Sequence, residues 1–266
     1  MAVCYRHKDR ETGVSCSNCG NPICPDCMTA TPVGMRCPEC SSQKTQVRTM
    51  RSMAVDPTVA YVLIAVNVLM YLGQSASPSN SVYRDFVLYG PLVADGEWWR
   101  LLTAGFLHGG LFHLLLNMYA LYFLGRMIEP ALGHVRFGAL YFASLLAGSF
   151  GAVLLDPDTP VVGASTAIFG LLGAAIVMAR NRGIDVMASG LGPVLIINLV
   201  ITFFPGFNIS VGGHVGGLIG GVLAALAIEA LASRRRSPVA AVLVCSAIGI
   251  ASVVAAVAFA TAKFTV

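Results

Sequence analysis

The run Gly212-Gly213-His214-Val215-Gly216-Gly217-Leu218-Ile219-Gly220-Gly221 lies in an apolar stretch, 213–232, that is long enough to cross a bilayer. Gly217 and Gly221 form a G-x-x-x-G spacing on one helix face, with His214 one turn before Gly217 on that face. Small residues let a neighbouring helix approach closely. An ionisable ring inside a membrane span is costly unless it faces a polar interior, so His214 is a functional candidate. A polar helix-packing role is the plain alternative.

Outward from this run, six further apolar segments fall at 58–74, 111–128, 136–155, 165–180, 191–205 and 239–262. The 266 residues are 56% hydrophobic and 11% charged, and the mean hydropathy is +0.74, too apolar for a soluble domain. An all-α polytopic membrane protein of seven spans is expected: a helical bundle of six core spans, a seventh C-terminal span, and a small head before them. The first apolar segment begins only after Pro57, which does not suit a cleaved secretory leader. With the head inside, the inner loops carry Arg126, Arg136, Arg180, Arg182 and Arg234–Arg236, against Arg84, Arg100 and Lys263 outside. The positive-inside bias therefore places the N-terminus in the cytosol and the C-terminus outside, in a plasma (inner) membrane with lipid as its surroundings. Ser75 to Gly110, with Trp98, Trp99 and Phe106, becomes an outer loop of interfacial character. The net charge of +4 comes without aromatic interleaving, and nucleic acid binding is not indicated.

On this topology the second, fourth and sixth spans all run inward, and His113 with Asn117, Ser165, and His214 each lie near the start of one. The four groups thus share a depth. The fourth span is short: Thr166 to Arg180 is fifteen residues, about 22 Å against a hydrocarbon core of ~30 Å, so Ser165 is expected below the outer surface. Gly163-Ala164-Ser165 follows a loop with Asp156, Pro157, Asp158 and Pro160, so the serine opens a helix. Free N–H groups and the helix dipole can there stabilise an oxyanion, although serine is also a common N-cap. Were the fourth span the close neighbour of Gly217, His214 would reach Ser165 as a general base. His113 and Asn117, four apart, share a face and can both donate to developing negative charge. His108 and His134 read as interfacial and Cys245 as packing. Acidic residues lie only at span ends and in loops, which argues against a transporter.

Seven of the eight cysteines fall in the first forty residues, as Cys4-x-x-His7, Cys16-x-x-Cys19, Cys24-x-x-Cys27 and Cys37-x-x-Cys40. Eight ligands are enough for two tetrahedral zinc sites; a disulfide framework would leave one cysteine unpaired and ignore His7. Interleaved pairing, with Cys4/His7 joined by Cys24/Cys27 and Cys16/Cys19 by Cys37/Cys40, resembles B-box and RING-like fingers, and sequential pairing stays open. Closed coordination makes both ions structural, in a segment too small to build its own core. The expected division is a zinc-finger domain at 1–42, a linker at 43–56, the membrane core at 57–232, and a C-terminal loop with the seventh span at 233–266. A cytosolic protein is the expected partner of the head.

Trp99-Arg100 in the outer loop, His113-x-x-x-Asn117, Gly163-Ala164-Ser165, and the His214 to Gly221 run together resemble the rhomboid intramembrane serine proteases, over roughly residues 57–232. The resemblance implies a Ser165/His214 dyad without an acidic third member, and an oxyanion hole from the Ser165 N–H, His113 and Asn117. It places Phe169 where the family often sets an aromatic ring against the base, and implies single-span transmembrane substrates. One departure stands out: the family's usual G-x-S-G reads Gly163-Ala164-Ser165-Thr166, with threonine where close helix approach is expected. A non-proteolytic scaffold or chaperone that binds transmembrane helices is the rival reading.

Overall fold

The computed structural model describes residues 2–42, 56–204, 206, 209–233 and 238–265. The chain forms two compact units, Met1–Ala54 and Val55–Val266.

In the first unit, β1 (Ala2–Val3) pairs antiparallel with β2 (Glu11–Thr12), and β3 (Thr29–Thr31) with β4 (Gly34–Arg36), before a short helix α1 (Pro38–Ser42). Ladders this short do not hold themselves together in water. The buried cluster beneath them is Ile23 and the cysteines Cys4, Cys16, Cys24, Cys27, Cys37 and Cys40. One buried aliphatic side chain is no hydrophobic core, so the cysteines must carry the fold. Of the linker expected at 43–56, only Asp56 lies among the described residues.

The second unit is helical: α2 (Thr58–Ala76), α3 (Ser81–Phe86), α4 (Gly90–Ala94), α5 (Arg100–Thr103), α6 (Leu111–Leu132), α7 (His134–Leu155), α8 (Ser165–Asn181), α9 (Leu191–Phe203), α10 (Val211–Ser233) and α11 (Pro238–Phe264). Five of these, α2, α6, α7, α10 and α11, are long and apolar enough to cross a membrane; α8 and α9 are shorter apolar helices. Each apolar run of the sequence lies within one of the seven, except that 191–205 ends early, at Phe203, with Pro205 outside the described residues. At 17 residues, α8 is about 25 Å long, still short of a ~30 Å hydrocarbon core.

The segment from 75 to 110 is more structured than an interfacial loop. Its helices α3, α4 and α5 are four to six residues long, too short to leave a periodic signature in the sequence. Leu88, Val93, Leu101 and Ala104 pack against Ala152 and Val153 of α7 and Ala256 and Ala260 of α11. Arg100 is buried, paired with Glu97, and donates to the carbonyls of Arg84 at 2.7 Å and Val87 at 2.9 Å. Trp98 and Trp99 remain exposed. Backbone bonds between Leu88 and Val161, at 2.8 and 3.2 Å, and from Gly163 N–H to Ala104 O at 3.0 Å, fasten this segment to the loop before α8.

The glycine pairs of α10 decide the packing. Gly217 and Gly221 meet α8: a Cβ built on them would lie 2.0 Å from Thr166 O and 2.2 Å from Gly170 O. Gly212, Gly216 and Gly220 meet α7, where such a Cβ would lie 2.1 Å from Gly151 O, 2.7 Å from Ala147 O and 2.3 Å from Ala147 Cβ. A repeat of four residues keeps each stripe on its own face, so the second glycine stripe seats a second helix. Thr166 is accommodated as well. Its Cγ2 fills the space that Gly213 and Gly148 leave, 3.1 Å from where either Cβ would be.

His108 departs from the interfacial reading, whereas His134 does not. His108 is fully buried, its ring edge-on to His113 at 5.2 Å. His134 is half exposed, and its Nδ1 lies 2.6 Å from Oε1 of the fully buried Glu129. That carboxylate also accepts the N–H groups of Val59 and Ala60, both at 2.8 Å. A carboxylate at a helix N-terminus satisfies donors that have no intrahelical acceptor, so Glu129 of α6 caps α2. Cys245 is buried in the core, as a packing residue should be.

Candidate active site

Ser165 is the first residue of α8, and its N-cap is Ala164, with no side-chain capping bond. The ordinary capping role therefore does not describe it. Its Oγ lies 2.9 Å from Nε2 of His214, across the α8–α10 contact. The ring of Phe169, one turn into α8, stacks on the His214 ring with centroids 4.0 Å apart and planes at 22°. His214 is buried.

His113, near the start of α6, accepts the Gly109 N–H at Nδ1 over 3.3 Å. A ring nitrogen that accepts carries no proton, so the proton of the neutral ring resides on Nε2. Gly163, with φ of +127°, keeps the space in front of that atom open. A Cβ built on it would stand 2.9 Å from His113 Nε2 and 3.5 Å from Ser165 Oγ, so a serine nucleophile and an N–H donor converge on one small volume. Asn117, one turn further along α6, is buried, and its Nδ2 has no hydrogen-bond partner among the described residues. A buried amide donor left unpaired costs stability, and such a group is suited to an oxygen that arrives with substrate.

Two supports were not legible in the sequence. Asp156 accepts from Ser210 Oγ at 2.6 Å and Gly212 N–H at 3.1 Å, while Ser210 Oγ accepts the Gly213 N–H at 2.9 Å. Together they cap the helix that carries His214. The only hint was a serine three residues before Gly213, the spacing of a Ser/Thr capping motif. Thr202 of α9 is buried, with Oγ1 2.7 Å from His214 Nδ1; nothing in its apolar surroundings marks it in the sequence.

In the first unit, the ligand atoms of Cys4, His7, Cys24 and Cys27 lie within 4.8 Å of one another, as do those of Cys16, Cys19, Cys37 and Cys40. The pairing is interleaved, and each cluster could hold a metal ion. Burial acts upward on the Cys4 thiol, but N–H donors from Arg6, Cys24 and His7 hold it down at about 6. Burial and the Cys24 and Cys4 thiols push Cys27 up to about 11. Donors aimed at one sulfur and crowding of the next are what a shared cation would reconcile.

A helical membrane bundle with a serine at a helix start, hydrogen-bonded to a histidine on the neighbouring helix, defines a narrow class. The chain belongs to the rhomboid family: the Rhomboid domain matches residues 95–230. Relatives include Rhomboid protease GluP of Bacillus subtilis (strain 168), 39% identical over 178 residues, 65% of this chain and 35% of that protein. YdcA of the same bacterium is 37% identical over 171 residues, 63% of this chain and 86% of that protein. Inactive RHOMBOID-like protein 8 of Arabidopsis thaliana is 34% identical over 139 residues, 50% of this chain and 39% of that protein. The chain thus spans about a third of GluP but most of YdcA.

Proposed function

We propose that this protein is an intramembrane serine endopeptidase that cuts single-span transmembrane proteins with a Ser165–His214 dyad. The observation that carries the reading is the 2.9 Å contact between Ser165 Oγ and His214 Nε2 at the start of α8. Ser165 Oγ attacks the scissile carbonyl while His214 Nε2 takes its proton, and the same nitrogen returns that proton to the leaving amine. Water then hydrolyses the acyl-enzyme, with His214 again as base. The oxyanion of each tetrahedral intermediate is held by the Ser165 N–H, His113 Nε2–H and Asn117 Nδ2–H. The Asn117 donor, buried without a partner among the described residues, acquires one only then. The relative named as inactive makes activity a question for experiment. Labelling of Ser165 by a serine-directed fluorophosphonate, absent in Ser165→Ala, tests the nucleophile. Equal labelling of folded Ser165→Ala protein contradicts it.

The cysteine unit is read as a zinc finger with two structural ions, one on each four-residue cluster. Zinc–thiolate bonds of ~2.3 Å set tetrahedral sulfurs about 3.8 Å apart, and the sulfurs of Cys19 and Cys37 are 3.8 Å apart, those of Cys4 and Cys27 4.0 Å. All four positions on each ion are filled by protein, so zinc supplies folding energy here and no catalysis. By the lysine and arginine bias this unit lies in the cytosol and the C-terminus outside, with α8 opening toward the outer side of a plasma (inner) membrane. A cytosolic protein or the tail of a substrate is its expected partner.

A further inference from the structure

Counting protons around His214 assigns a role to a residue on a third helix. Thr202 Oγ1 lies 2.7 Å from the carbonyl of Asn198, one turn back on α9, and 2.7 Å from His214 Nδ1. A hydroxyl has one hydrogen. A threonine in a helix gives that hydrogen to the i−4 carbonyl, here Asn198 O, and this back-bond leaves the Thr202 oxygen to accept from His214 Nδ1–H. The neutral ring is thereby protonated on Nδ1 and bare on Nε2, the atom 2.9 Å from Ser165 Oγ. We infer that Thr202 is a positioning residue that locks His214 in the one neutral tautomer able to accept the serine proton.

The inference rests on the dyad reading and deepens it. The tautomer with its proton on Nε2 would donate to Ser165 Oγ and could not act as its base. An aromatic stack such as that of Phe169 fixes the plane of the ring but does not choose between the nitrogens. An acceptor at Nδ1 does choose, which is the part an acidic residue plays in three-membered hydrolase sites. Here the acceptor is a neutral hydroxyl whose own proton is committed elsewhere. Threonine suits the place because its hydroxyl bonds back to the i−4 carbonyl within a helix. Val200, Ile201, Phe203 and Phe204 around it are exposed, and beyond Gly192 Thr202 is the one buried residue of α9. The state of the base therefore depends on where α9 lies.

The test uses the full-length protein in liposomes cutting a single-span transmembrane substrate, with 15N-histidine NMR to read the tautomer; the His214 signals are those lost in His214→Ala. The wild-type proton is expected on Nδ1 and should move to Nε2 in Thr202→Val, which keeps the shape and removes the acceptor. Turnover should fall by up to about 10⁴-fold, as when the partner that fixes the tautomer of a serine hydrolase's histidine is removed, with KM changed less than about twofold since no substrate contact is lost. Thr202→Ser keeps the acceptor and should restore both the spectrum and most of the turnover. A wild-type proton on Nε2 overturns the inference, even if Thr202→Val fails to fold. Unchanged tautomer and turnover in Thr202→Val overturn it too. Cleavage by Ser165→Ala would instead overturn the dyad, and the spectra would still decide whether Thr202 sets the tautomer.

Discussion

Replacing Gly217 by alanine adds one methyl group at the tightest point between α8 and α10. That carbon would lie 2.0 Å from Thr166 O and 2.8 Å from Thr166 C, where ordinary contact begins at 3.4 Å. Both obstructing atoms are backbone and cannot rotate aside, so α10 must retreat by about 1.4 Å locally. His214 is three residues away on the same helix and Ser165 is bonded to Thr166, so the displacement falls on the Ser165–His214 pair. Its 2.9 Å contact would open to about 4 Å, outside hydrogen-bonding range. A misplacement on the order of 1 Å costs about 10²-fold in rate, and forced overpacking costs about 1–3 kcal/mol of stability. The assay is cleavage of a transmembrane substrate in liposomes, with thermal unfolding in detergent measured on the same preparation. Gly73→Ala serves as the control, because a Cβ there meets nothing within 4 Å, and alanine in an exposed helix is if anything stabilising. Wild-type turnover and unfolding temperature in Gly217→Ala would refute the claim that backbone contact at this glycine sets the geometry of the site.

His113→Ala and Asn117→Ala should each lower turnover more than apparent binding, by on the order of 10²–10³ for a strong oxyanion donor; steady-state kinetics with both variants at wild-type rates would remove the oxyanion assignment. Elemental analysis of purified protein should return two zinc ions per chain. Cys24→Ser should lose the ion of its own cluster and Cys37→Ser the other, and protein without zinc would leave the finger reading unsupported.

The apolar runs announced the spans because hydrocarbon imposes length and composition on any helix that crosses it, and the G-x-x-x-G at Gly217 announced a close helix neighbour, which the structure shows to be α8. What escaped the sequence depends on contacts between distant segments. His108 reads as interfacial beside the aromatic loop, yet it is buried edge-on to His113 of α6, with its backbone held by the Gln74 side chain of α2. Glu129 looks like an ordinary charge at a span end, and only the N-terminus of α2 above it makes it a cap. Thr166 reads as excess bulk until the glycines of two other helices, Gly148 and Gly213, leave the space it fills. Thr202 lies among Val, Ile and Phe with no local feature, since its partner is twelve residues on, across a helix boundary. The interleaved cysteine pairing was one of two open arrangements, and equal C-x-x-C spacings could not choose between them.

The central claim is that Ser165 and His214 act as one catalytic unit. The most direct measurement is cleavage of a single-span transmembrane substrate by the purified full-length protein in liposomes, comparing wild type, Ser165→Ala, His214→Ala and the double variant, each verified as folded. Turnover should fall to background in all three variants, with the double variant no worse than either single one, because members of a unit lose activity together rather than additively. Substrate cut at the wild-type rate by folded Ser165→Ala protein would contradict the account.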